Sequence, residues 1–128
     1  MMTRKLLAIG IILTVACVLY AQDKKEVKIS GYLIDNACAN AHVKDANFGE
    51  RVKKHSTSCA LMPDCAGSGY AVFADGKLYK LDKAGSESAE GLLKDTDTKS
   101  GVMVAVEGTL EGETLHVTKL TEVKTAIE

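Results

Sequence analysis

Two five-residue runs, Tyr70–Ala74 and Lys77–Leu81, are separated only by Asp75-Gly76. An Asp-Gly pair lets both central residues of a two-residue turn take positive φ, and the twist of that turn matches the strands it joins. The segment therefore reads as a β-hairpin, and no other local signal in the chain is as restrictive. Three more stretches carry the period-two pattern of a half-buried strand. Val27, Ile29, Gly31 and Leu33 alternate with Lys28, Ser30, Tyr32 and Ile34, in a strand expected to end at Asp35-Asn36. Val102, Val104 and Val106 mark another strand, and after a turn at Glu111-Gly112 residues 115–120 pair back.

Between the two hairpins, residues 86–96 predict a helix of one or two turns. Ser86 or Ser88 would cap it, Glu87 and Glu90 would lie in its first turn, and Leu92-Leu93 would face inward. Gly91 argues against a longer helix. The resulting order is strand, long connection, hairpin, short helix, hairpin. That order predicts a mainly β fold, a small five-stranded OB-like Greek-key barrel with one short helix. A half-open β-sandwich is the alternative. Closing the sheet removes the exposed edges that such short strands otherwise present.

The 128-residue chain is short enough for one domain, and its N-terminal stretch reads as separate from it. Arg4 and Lys5 precede residues 6–20, which are apolar apart from Gly10 and Thr14, and Ala21-Gln22 follows. A basic start, an apolar run and a small-residue exit form a secretory signal peptide over residues 1–21. The run is short for a membrane span, which needs roughly 20 apolar residues. A second cleavage reading, after Ala16, would leave Cys17 as a lipid anchor. The expected product is exported, periplasmic or extracellular, and touches membrane only through the signal or that anchor.

Without Arg4 and Lys5, residues 22–128 hold 14 basic against 17 acidic side chains, a net charge of −3. A slightly acidic domain lacks the basic face that nucleic acid requires. With no Trp and two Phe it also has few platforms for stacked bases. Nucleic acid is not an expected partner.

The chemistry is concentrated in the connection at residues 36–69, which reads as polar and irregular. Cys38 and His42 are four apart, as are His55 and Cys59, giving Cys-x3-His and His-x3-Cys pairs. On a helix each pair would share a face. Two thiolates and two imidazoles make the donor set of a closed tetrahedral zinc site. Asp35, Met62 and Cys65 enlarge the set, and Cys together with Met favours the soft ion Cu(I). The expected ligands are Cys38, His42, His55, Cys59, Met62 and Cys65, the ion copper or zinc, and the role sequestration, delivery or sensing.

A competing reading needs no metal. In an oxidising compartment paired cysteines become disulfides, and the bridges 38–59, 38–65 and 59–65 are all open. A bridge from Cys38 would close a loop of over twenty residues and stabilise the fold by roughly 3–4 kcal/mol. The connection would then be the recognition loop of a stapled OB-like module that binds an envelope protein or small ligand. One bridge leaves an odd cysteine, which calls for a metal, burial or a second chain.

Three segments, Gly31-Tyr-Leu-Ile-Asp-Asn-Ala-Cys38, His55-Ser-Thr-Ser-Cys-Ala-Leu-Met-Pro-Asp-Cys65 and Gly69-Tyr-Ala-Val-Phe-Ala-Asp-Gly-Lys77, resemble a group of small exported bacterial proteins of unknown function. The shared His-x3-Cys-x-Leu-Met-x-x-Cys stretch is the most specific part. The resemblance implies an exported, single small β domain and no particular substrate.

Enzymatic turnover is not expected. Neither Cys-x-x-Cys nor Cys-x-x-Cys-His occurs, and nothing resembles a nucleophile elbow. Asp64, Asp75 and Asp82 sit in turn contexts, and His116 lies on the solvent face of a strand.

Overall fold

A computed structural model describes residues 24–124. The expected signal peptide at residues 1–21, with Cys17, lies outside them. Five strands and five helices alternate as β1 Lys24–Asp35, α1 Asn36–His42, α2 Phe48–Lys53, α3 Thr57–Ala60, α4 Pro63–Gly67, β2 Tyr70–Ala74, β3 Lys77–Leu81, α5 Lys83–Asp95, β4 Met103–Glu111 and β5 Thr114–Glu122. The strands close into a barrel in the ring order β1-β2-β3-β5-β4. The sheet is a closed barrel, and the half-open sandwich is excluded. Among the described residues, no helix is long and apolar enough to cross a membrane.

Each expected hairpin forms. Asp75 and Gly76 both hold positive φ, 50° and 77°, as the turn requires. β1 is long enough to serve two neighbours. Its first part pairs with β4 from Lys24↔Glu111 to Tyr32↔Met103, and its end pairs with β2 from Tyr32↔Phe73 to Asp35↔Tyr70. The switch falls at Tyr32, and at the neighbouring Gly31 the Phe73 carbonyl passes through the space a Cβ would fill. The ring is completed by a short parallel contact between β3 and β5, Lys80↔Thr114 and Leu81↔Leu115.

Strand alternation divides the apolar residues into two layers. Leu33, Val72, Val104, Val106 and Leu115 point into the barrel, where Ala89 and Leu93 of α5 plug one end. Ile34, Ala71 and Phe73 point outward, yet they are covered by Ala39, Phe48 and Val52 of α1 and α2. Phe48 meets Phe73 edge to face, with ring centroids 5.2 Å apart. The connection is thus packed on the outer face of β1 and β2, and it is not the irregular segment its polarity suggested. Asp35 caps α1, Ser56 caps α3 and Pro63 opens α4. Four brief helices therefore join the single one expected.

The helix between the hairpins is also longer than expected. It starts three residues earlier, because Asp82 directly follows β3 and its carboxylate accepts the Gly85 N–H at 2.9 Å. Ser86 instead accepts the Tyr70 N–H. Gly91 does not end the helix because it lies on the exposed face, where no packing is lost. Asp82→Ala should lower the unfolding free energy by about 1–2 kcal/mol in urea titrations. Exposed Ser88→Ala should stay within about 0.5 kcal/mol of wild type.

Candidate metal and thiol centre

β1 delivers Asp35 to a point where two helices and a loop meet. The side chain is fully buried (0 % exposed). Its Oδ2 accepts the Cys38 N–H at 2.9 Å, capping α1, and its Oδ1 lies 2.7 Å from His55 Nε2. A buried carboxylate needs such partners, since an unpaired one would be costly away from water.

Hydrogen bonds to the backbone set the positions of the remaining groups. The Asn36 amide donates from Nδ2 to the Ser68 carbonyl at 2.9 Å, and the Ala37 N–H reaches Ser68 Oγ at 3.0 Å. These bonds tie the start of α1 to the end of α4, bringing Cys38 towards Cys65. The His55 carbonyl accepts from Gly101 N–H, and Thr57 N–H donates to the Lys99 carbonyl. The segment before α3 is thereby clamped to the approach of β4. Ser56 Oγ caps α3 through the Cys59 N–H, and buried Tyr70 Oη holds the Ala60 carbonyl at 2.8 Å.

The three helices α1, α3 and α4 converge as a result. The Sγ atoms of Cys38, Cys59 and Cys65 all lie within 4.8 Å of one another. A second group, Asp35, Cys38 and His55, meets the same limit and shares Cys38. Each cysteine is partly exposed. An open depression of about 380 Å³, lined by Asn47, Glu50, Arg51, Lys54, His55, Ser56 and Cys59, leads to the cluster from solvent.

Of the expected imidazole and thiol ligands, His42 is not brought in. His42 ends α1 and turns its Nδ1 to Asp45 Oδ2 at 2.9 Å, on an exposed surface shared with Arg51. Four-residue spacing places His42 on the same helix face as Cys38, but the helix stops there and the nearer carboxylate takes the ring. Met62 lies in the short link between α3 and α4 and is 55 % exposed. Asp35, which the sequence offers as an addition to the donor set, is the buried partner of Cys38 and His55. Its signal was available as a strand-ending Asp three residues before an N–H that needs a cap.

The electrostatics follow from crowding sulfur against a carboxylate. Burial, the Asp35 carboxylate and the neighbouring Cys59 push the Cys38 thiol up to about 12. Burial and then Asp35 push Cys65 up as well. For Asp35 itself burial acts upward, but His55 and the Cys38 N–H outweigh it and hold the carboxyl below the ordinary 3.8. Cys38 and Cys65 thus resist becoming anions unless a cation or an S–S bond relieves them.

His116, expected on the solvent side of β5, is exposed there beside Asp82 and Glu111. Asp75 sits in the β2–β3 turn and Asp82 caps α5. Asp64 lies in the first turn of α4.

Removing Asp35 should be severe. Asp35→Ala leaves His55 and the α1 terminus without their partner and should lower the unfolding free energy by about 3–5 kcal/mol. Because the folded state holds this carboxyl below 3.8, its contribution is complete above that pH and is lost as pH falls through the lowered value. The difference between wild type and Asp35→Asn in chemical denaturation should therefore persist at neutral pH and shrink below pH 3.8.

No family model matches the chain, and no curated protein or solved structure matches it.

Proposed function

We propose that the chain is an exported protein that binds a soft metal ion, Cu(I), through Cys38, Cys59 and Cys65. Its role is sequestration, delivery or sensing rather than turnover. One observation carries the reading: three sulfurs from three separate helices lie within 4.8 Å of one another. Thiolates are soft donors and suit Cu(I). A structural zinc site asks for four donors, and His55, the nearest imidazole, already commits Nε2 to Asp35. The Asp35–His55 pair is better suited to supporting the donors than to joining them, as outer partners of metal ligands do.

The platform is a barrel of the OB type. The ring order β1-β2-β3-β5-β4 and a helix between β3 and β4 support it. In that fold the connection bearing the cysteines is the one between the first two strands, a customary place for binding groups. The alternative, a disulfide-stapled module for an envelope protein or small ligand, has less support. Such barrels recruit ligands with the face of the second and third strands, and here α1 and α2 cover the part of it at Ala71 and Phe73.

The test is a titration of reduced, chelator-washed protein with Cu(I) against a competing chelator. One ion per chain is expected, with affinity falling as pH drops because binding displaces thiol protons. His55→Ala should weaken binding by about 10–100-fold. Each single cysteine-to-serine change should exceed that loss, while His42→Ala and Met62→Leu should leave affinity unchanged. Binding that survives Cys59→Ser, or an equal loss on His42→Ala, would overturn the assignment.

A further inference from the structure

Three cysteines in mutual reach have a second chemistry when no ion holds them. We propose that the reduced site also performs thiol–disulfide exchange with a low-molecular-weight disulfide, Cys59 making the first attack and Cys38 or Cys65 closing the bridge. This activity does not depend on metal binding.

The geometry gives the three thiols different roles. Of the three, Cys59 alone lines the open depression of about 380 Å³, beside Arg51, Lys54 and His55, so an incoming disulfide meets it first. Neither Cys38 nor Cys65 lines that depression. As second attackers they need only reach a sulfur already within 4.8 Å, and that proximity makes the closing step effectively unimolecular.

The reaction balances without any other reagent. The Cys59 thiolate attacks one sulfur of R–S–S–R, and the electron pair of that bond departs with RS⁻, which takes up the proton Cys59 gave up. A mixed disulfide, Cys59–S–S–R, remains. The thiolate of Cys38 or Cys65 then attacks Cys59 Sγ, the second RS⁻ leaves, and it takes up that thiol's proton. Two protein thiols are oxidised by two electrons and the external disulfide is reduced to two thiols. The third cysteine is adjacent to both bridged sulfurs and can attack in turn, moving the bridge with no net redox change. The odd cysteine is thus part of the device.

Oxidised glutathione, added to reduced protein kept metal-free by a chelator, tests this. The expected outcome is two glutathione molecules released per chain, one thiol left, and no adduct mass at the end point. Cys38→Ser and Cys65→Ser should each still reach a bridged, adduct-free product. Cys59→Ser should slow the first step by about tenfold or more, since the entering thiol sets its rate. Limited alkylation of the wild-type chain requires no variant to fold, and peptide masses should show Cys59 modified first. The proposal is overturned if stable glutathione adducts accumulate without a bridge, if Cys38 or Cys65 is alkylated first, or if reaction occurs only in denaturant. Copper binding is measured on a separate reduced sample. A chain that binds no copper but releases two glutathiones removes the ion reading and leaves the exchange, and the reverse result does the opposite.

Discussion

One buried carboxylate organises the upper part of this molecule. Asp35 ends β1 and uses one oxygen to start α1 and the other to hold the His55 ring. A strand, a helix and a distant loop are therefore positioned by a single group without solvent contact. Burial first, and then the same carboxylate, discourages Cys38 and Cys65 from ionising. Its position fixes where the first sulfur sits and also sets how that sulfur behaves.

The barrel supplies a rigid base for this arrangement. β1 pairs first with β4 and then with β2, and the Leu33 N–H also reaches the Val102 carbonyl, so the strand is held along its length. The connection that follows would be free to move if it were only a loop. Instead Phe48, Val52 and Ala39 pack on Ile34, Ala71 and Phe73 outside the sheet, giving it a small core of its own. Burying apolar area at roughly 25 cal/mol per Å² is what offsets the entropy of ordering more than thirty residues. The helices within it are too short to be stable alone. They persist because caps and packing hold them, and the cysteines are placed as a consequence.

The proposed metal binding and the proposed thiol exchange would answer the same physical problem. Three sulfurs and a carboxylate in one partly buried volume repel one another once ionised. A monovalent soft cation neutralises that repulsion, and an S–S bond removes two of the charges. An arrangement good for one is close to the other, since both need sulfurs brought within a few ångströms of one another. What separates them is access, and the depression beside Cys59 provides it.

The strands and their order were legible from the sequence, because hairpin turns and period-two alternation are local signals. Asp75-Gly76 needs no tertiary information to specify its turn, and the valines at 102, 104 and 106 mark their own inward face. The cysteines and His55 were also recognisable as candidate donors. The partners of each were not. Spacing alone placed His42 beside Cys38 and Met62 near Cys59, yet His42 turns to Asp45 and Met62 to solvent. The start of α5 was missed for a related reason, since Asp82 is a cap only because β3 ends one residue before it. Sequence determines which residues are chemically able to form a site and which local turns the backbone prefers. Tertiary structure decided which sulfurs meet, because Cys38, Cys59 and Cys65 come together only when Asn36–Ser68, Thr57–Lys99 and Tyr70–Ala60 contacts close across the fold. Those contacts span from ten to more than forty residues of chain, and no periodicity within a segment encodes them.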